Sequence, residues 1–101
     1  MKEIHYEFIA KTWKFEGKGA WVFISLPESI SNEIKYHFKA LEEGWGRLSV
    51  QAKVGKTSWN TAIWFDSKSK TYLLPLKSKI RAIENIKLDT ELDVELTIIQ
   101  P

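Results

Sequence analysis

Apolar and polar residues alternate along several short stretches of the chain, a pattern that is typical of strands with one buried face. Residues 48–54 show it most clearly, because every second residue is apolar and the residues between them are polar or charged. The same period of two recurs in three other stretches, residues 4–13, 57–65 and 92–98. Ala20 to Leu26 is instead a nearly continuous apolar run, which predicts a buried strand that includes Trp21.

Two helices are predicted, and each follows a strand that ends in Leu-Pro. Proline lacks an amide hydrogen and suits the first turn of a helix, so the chain is expected to turn at Pro27 and again at Pro75. Apolar residues then recur at helical spacing in both places, at Ile30, Ile34, Phe38 and Leu41, and at Leu76, Ile80 and Ile83. Gly44 and Asn85 are placed to end these helices. Gly55-Lys56 predicts a two-residue hairpin turn.

The resulting order of elements is strand, strand, helix, strand, and it occurs twice. From this repeat we predict a single domain over residues 1–101, mainly β, built as a pseudo-symmetric double-split β-barrel. Each half is a strand-strand-helix-strand unit, and the two short helices are peripheral. Closing the strands into a barrel would remove the exposed edges that invite aggregation. A chain of 101 residues has room for one such core.

Composition narrows the class of protein without indicating a function. The chain has no cysteine, which excludes disulfides and thiolate metal sites. No stretch approaches the roughly 20 apolar residues of a membrane span, and the first residues show no signal-peptide pattern, so we expect a cytoplasmic protein. The net charge of +2 is no nucleic-acid signature. Positive charge is nevertheless concentrated in residues 66–81, and negative charge in residues 82–101.

Two sets of motifs resemble known families. Residues 72–98, with Pro75, Arg81 and the alternating final strand, resemble the half-barrel of AbrB/MazE-type transition-state regulators and antitoxins, in which two half-barrels interlock. The stretches WKFEGKGAWVFISLP, GWGRLSVQAKVGKTSWNTAIW and YLLPLKSKIRAIENI resemble the bacterial domain of unknown function 1905 family over almost the whole chain. This second resemblance implies the AbrB-like barrel topology and no particular activity.

The residues do not predict an enzyme, a cofactor or a metal site. Gly55-Lys56-Thr57 resembles the end of a phosphate-binding loop, but Val50 stands where that loop requires a glycine. The only two histidines, His5 and His37, have no carboxylates at ligand spacing in the sequence, so we expect neither to bind a metal. No arrangement of nucleophile and base can be argued from composition, because catalytic triads are defined by geometry.

The tryptophans provide the first candidate for a binding surface. Trp59 shares a face with Ile63 and Phe65 and is expected to point into the core. Trp45 lies in a predicted loop, and Trp64 lies on the polar face of its strand, so neither is easily placed in the core. Exposed aromatic residues usually mark a contact surface. We therefore predict that Trp45 and Trp64 border a cleft or a partner surface.

A basic corner provides the second candidate, formed by Lys77, Lys79 and Arg81. These side chains either bind an anion or form a solvated helix face. The leading hypothesis is a non-enzymatic binding module, monomer or weak dimer, that contacts an unknown protein or a small anionic ligand. The alternative is an AbrB-like nucleic-acid-binding protein that uses residues 77–81. We favour the first, because the corresponding first-half segment carries Glu28 and Glu33, which breaks a symmetric DNA-binding face.

Overall fold

The computed structural model describes residues 2–17, 19, 21–38 and 46–100, with residues 2, 99 and 100 described by their backbone. Within these ranges the chain forms eight elements: β1 (Lys2–Lys14), β2 (Val22–Ser25), α1 (Glu28–Phe38), β3 (Arg47–Val54), β4 (Thr57–Asp66), β5 (Thr71–Pro75), α2 (Ser78–Ile83) and β6 (Glu91–Gln100). This order of strands and helices is the one predicted from the sequence. The predicted roles of Leu41 and Gly44 fall outside the described residues.

The six strands form one closed antiparallel barrel, in the order β1-β2-β5-β4-β3-β6. The longest pairing joins β1, at the start of the chain, to β6, near its end. β3 and β4 form the predicted hairpin: Val54 pairs with Thr57, and Gly55 has a φ of +60° that glycine adopts without strain. Closure gives each of these strands two neighbours, which reduces the sheet edge left unpaired.

The core fills the interior of this barrel. Alternate residues of β3 are buried, as its alternating sequence predicts. Ile34 and Phe38 of α1 join the same core, and Tyr72 of β5 is completely buried in it. Trp59 packs against the core from β4, which confirms the prediction that it points inward. The outer faces of the strands are therefore the surfaces left for binding.

The prediction for the second strand is wrong in its bounds and in the burial of one tryptophan. β2 covers only Val22–Ser25, and Trp21, just before it, is 47% exposed. A continuous apolar run hides the alternation between the two sides of a strand. Val22 and Ile24 belong to the core, whereas Phe23 is buried outside it among other aromatic rings. Residues of this apolar run thus pack in two separate clusters, the core and a group of aromatic rings outside it.

The second helix is shorter than predicted, and its last apolar residue is on the surface. The helix begins at Ser78, two residues after Leu76, and Ile80 is buried whereas Ile83 is 58% exposed. Asn85 follows the helix with a φ of +51°. The N–H of Asn85 donates to the carbonyl of Ala82 at 3.4 Å, and the N–H of Ile86 donates to the carbonyl of Arg81 at 2.9 Å. These two bonds form the Schellman arrangement. Asn85 therefore ends α2, as predicted.

A buried serine joins α1 to the barrel wall. Ser31 is fully buried, and its Oγ accepts a hydrogen bond from the backbone N–H of Tyr72 at 3.1 Å. The same hydroxyl donates to the carbonyl of Leu26 at 3.5 Å. The N–H of Leu26 donates to the carbonyl of Tyr72 at 2.9 Å, which continues the β2–β5 pairing past the end of β2. This arrangement fixes the corner at which the chain turns from β2 into α1.

Candidate ligand-binding cleft

Five aromatic side chains form a cluster on the outer side of the barrel, and we call it the aromatic cluster: Trp13, Phe15, Trp21, Phe23 and Trp64. Phe23 is its centre, with ring centroids 5.3 Å from Trp13, 5.9 Å from Trp21 and 6.5 Å from Trp64. The Trp21 ring is stacked on Phe23 with an interplanar angle of 6° and meets the Trp64 ring at 72°. Each ring is thus held in place by another.

The strand registers explain why these residues meet. Trp13 of β1 lies directly opposite Phe23 of β2, and side chains opposite each other in an antiparallel pair project from the same face. Trp13 is fixed further by its Nε1–H, which donates to the Ser25 hydroxyl at 2.9 Å. Trp64 of β4 lies opposite Arg47 of β3. The same register therefore places a guanidinium group next to a member of the aromatic cluster.

A cleft of about 710 Å³ opens between Trp21, Trp64, Arg47 and Lys77, and we call it the Trp21–Trp64 cleft. Small side chains border it where strands β3 and β4 meet, because Ser49 lies opposite Ala62. Two pairs further along, Gln51 lies opposite Asn60, and both also line the cleft. Its walls thus offer aromatic rings, two cationic side chains and side-chain amides, the combination of apolar surface and few polar groups that ligand sites use.

Two further cavities border on Trp21. One, of about 450 Å³, lies among the aromatic cluster, Asp66 and Lys68, and we call it the Phe15 cavity. The other, of about 510 Å³, lies along the start of α2 and is lined by Lys77, Lys79 and Arg81, and we call it the α2 cavity. Trp21 lines all three cavities.

The charge around these three cavities is strongly positive. Among the residues that the structure describes, the charged ones that line these cavities are Arg47, Lys68, Lys77, Lys79, Arg81 and Asp66. The single carboxylate among them is engaged by its own loop: the Ser69 hydroxyl donates to Asp66 at 2.7 Å, and this hydrogen bond holds the pKa of Asp66 below its usual value. Arg81 is tied to the protein, because its Nε donates to the carbonyl of Leu76 at 3.1 Å.

The sequence matches the family model described as Domain of unknown function (DUF1905) over residues 8–96. The chain belongs to this family. The matched region of this DUF1905 protein includes the whole aromatic cluster and all the cationic residues that line the three cavities. No curated protein matches the chain.

The structure brings together some of the residues predicted for the DUF1905 site and separates others. Trp64 and Lys77 line the same cleft, while Lys79 and Arg81 line the adjoining α2 cavity. Trp45 lies outside the described residues, so its predicted role stays a prediction. Arg81 is half-buried and bonded to a backbone carbonyl, which gives it a structural task in addition to its position at the cavity.

Sequence reasoning missed the two residues that complete the Trp21–Trp64 cleft. Trp21 was assigned to a buried strand, and the signal that it lies elsewhere is its alternation with Val22, a core residue. Arg47 is a single basic residue at the start of an alternating strand. Its importance follows from the β3–β4 register, which places it opposite Trp64. That register is set by the Gly55-Lys56 turn and could have been counted back from it.

His5 has carboxylate neighbours that the sequence did not reveal. In the β1–β6 register Glu7 lies opposite Glu95, and ligand atoms of His5, Glu7 and Glu95 all lie within 4.8 Å of one another. His5 Nε2 is 3.3 Å from Glu95, and Lys53 Nζ is 3.8 Å from the same carboxylate. The sequence could not show these partners, because the residues are distant along the chain and adjacent across two strands, and the absence of a metal at His5 stays a prediction. The group forms an exposed cross-strand cluster of opposite charges.

Among the described residues, neither helix has the length or the apolar character needed to cross a membrane.

Proposed function

We propose that this DUF1905 protein is a non-enzymatic binding module that binds an anionic ligand with a planar apolar part in the Trp21–Trp64 cleft. The observation that carries the proposal is the meeting of two tryptophan rings with Arg47 and Lys77 around one cavity of about 710 Å³. That volume lies within the range of about 300–1,000 Å³ typical of small-molecule sites.

The chemistry of the lining supports this choice of ligand. The Trp21 ring is held against Phe23 and is 47% exposed, so it offers a rigid face on which a planar group can stack. Lysine and arginine side chains bind anions through charge-assisted hydrogen bonds. Gln51 and Asn60 add donors and acceptors at the far side of the cleft. A ligand that satisfies all three features carries a ring, a negative charge and polar edges.

We also propose the finer architecture and location expected from the sequence, a pseudo-symmetric double-split barrel of AbrB-like topology in the cytoplasm. The pairing order supports the first part: exchanging β1, β2 and β3 for β4, β5 and β6 leaves the set of neighbouring strand pairs unchanged. An AbrB-like grip on duplex DNA by Lys77–Arg81 is less well supported. The corresponding segment of the first half begins α1 with the exposed Glu28, which opposes a symmetric basic face.

Three probes test the proposed function, namely ATP, adenosine and inorganic tripolyphosphate, each titrated by calorimetry at low salt. We expect ATP to bind more tightly than either of the others, because only ATP supplies both the ring and the charge. Lys77→Glu should weaken ATP binding by about tenfold or more, since it removes a charge-assisted contact. Lys87→Glu makes the same charge change at an exposed residue that lines none of the three cavities, and it should leave ATP binding nearly unchanged.

Two results would contradict this function. Binding of tripolyphosphate as tight as that of ATP would mean that the aromatic rings take no part. Equal losses in Lys77→Glu and Lys87→Glu would mean that the protein attracts anions through its net charge and has no site at the cleft.

A further inference from the structure

We infer that the ligand of this surface is a single-stranded nucleic acid, with bases on Trp21 and Trp64 and phosphates on the surrounding basic side chains. This inference rests on the proposed function and specifies its ligand. Proteins that bind single strands combine a positively charged track with aromatic rings on which bases stack. The DUF1905 barrel places these two features together on one outer surface.

The arrangement of the cavities indicates a ligand made of repeating units. The three cavities measure about 710, 450 and 510 Å³, and each alone has the size of a small-molecule site. Trp21 lines all three of them. A single nucleotide would occupy one of them, whereas a flexible chain of nucleotides can pass from one to the next around Trp21.

Cationic side chains line each of the three cavities. Arg47 comes from β3, Lys68 from the loop between β4 and β5, and Lys77 and Lys79 from the start of α2. These elements bring charge to all three cavities, and the one carboxylate, Asp66, is engaged by Ser69. A polymer with a negative charge on every unit and a planar base on each matches this distribution of cations and rings.

The ring geometry favours a single strand over a duplex. Trp21 and Trp64 lie 6.3 Å apart at 72°, so bases stacked on the two rings would be splayed apart. Phe15, 43% exposed, adds a third ring at the neighbouring cavity. Duplex bases are already stacked on one another and offer no free faces to such rings. The side-chain amides of Gln51 and Asn60 stand where the edges of an unpaired base can be bonded.

Fluorescence anisotropy of a labelled oligothymidylate of about ten nucleotides tests the inference, with a duplex of equal length as the comparison. We expect tighter binding of the single strand, with a log–log salt slope of about −2 to −3 for three or four phosphate contacts between about 50 and 200 mM salt. Trp21→Ala should weaken binding by about fivefold or more, the loss that corresponds to one stacked base.

Matched variants separate loss of the site from loss of the fold. Tyr36→Ala removes an aromatic side chain that is 77% exposed on α1 and lines none of the three cavities, so it should bind like the unmodified protein. Lys77→Glu should weaken binding, and Lys87→Glu should not. Urea unfolding of each variant confirms that it is folded. If Trp21→Ala is not folded, Trp64→Phe replaces it, and a smaller loss of affinity with that variant still supports the inference.

The outcomes distinguish failure of the inference from failure of the proposed function. If ATP binds at the cleft but the oligonucleotide binds no more tightly than ATP, the inference is wrong and the proposed function stands. If the duplex binds as well as the single strand and Trp21→Ala has no effect, binding is electrostatic and the inference is wrong. If neither probe binds, both fail. If the chain instead forms a dimer that Trp21→Ala dissociates, the surface is a protein interface and the inference is again wrong.

Discussion

At the scale of single residues, Tyr6 shows how burial changes an ordinary side chain. Tyr6 is buried in the core, and its hydroxyl donates to Glu33 Oε1 at 3.2 Å. Loss of the solvent and the nearby Glu33 carboxylate both disfavour the phenolate, which raises the pKa of Tyr6 to about 12 from the usual 10.0. Tyr6 therefore holds its phenol proton more firmly in the folded chain than in the unfolded one.

This shift predicts a loss of stability at high pH. Below pH 10 both states keep the Tyr6 proton, and the full stabilisation is present. Between pH 10 and about 12 the unfolded chain has lost the proton while the folded chain keeps it, so the free energy of unfolding falls as the pH rises. Urea unfolding over this window should show a steeper decline for the unmodified protein than for Tyr6→Phe.

The exposed Tyr36 serves as the control for this measurement, because Tyr36→Phe removes a phenol that is 77% exposed. The free energy of unfolding of Tyr36→Phe should fall with rising pH in parallel with that of the unmodified protein. Parallel declines for Tyr6→Phe and the unmodified protein would show that Tyr6 ionises alike in both states.

At the scale of elements, one buried hydroxyl group joins the start of α1 to β5, in addition to the apolar packing of the helix. Ser31 Oγ is the acceptor for the Tyr72 N–H, and both groups are buried. Replacing Ser31 by alanine leaves that N–H without this partner in a site that water does not reach. We expect Ser31→Ala to lower the free energy of unfolding by about 1–3 kcal/mol in urea titrations.

Ser29 is the matched control for this substitution, since it lies in the same helix and is exposed. Ser29→Ala should change the free energy of unfolding by no more than about 0.5 kcal/mol. A Ser31→Ala protein as stable as Ser29→Ala would show that the Tyr72 N–H finds another partner or that the corner relaxes.

Much of the element order was predictable, because strands with one buried face and a two-residue turn leave direct traces in the sequence. The order of all eight elements, the Gly55-Lys56 turn and the role of Asn85 after α2 were obtained in this way. The exposed position of Trp21 was not predicted, because a run that is apolar on both sides does not reveal which side faces the core. The Arg47–Trp64 pair could have been counted back from the Gly55-Lys56 turn, whereas the His5–Glu95 contact depends on the β1–β6 register, and alternation within one strand contains no information about its partner.

At the scale of the whole molecule, barrel closure separates stability from binding. The inner faces hold the core, and the outer faces of β1, β2, β3 and β4 bring together rings and cations from distant parts of the chain. The β2–β5–β4 arrangement brings Trp21, just before β2, beside Trp64 of β4, although the two residues are distant in sequence. We propose that the ligand binds on this outer surface, in the Trp21–Trp64 cleft in particular.

The most direct test is to follow the indole N–H signals of the tryptophans by ¹⁵N–¹H NMR while oligothymidylate is added, with assignments from single Trp→Phe substitutions. Trp59 serves as an internal reference, because it points into the core. We predict large shifts for Trp21 and Trp64, and little change for Trp59. Binding that leaves the Trp21 and Trp64 signals unmoved would contradict the claim.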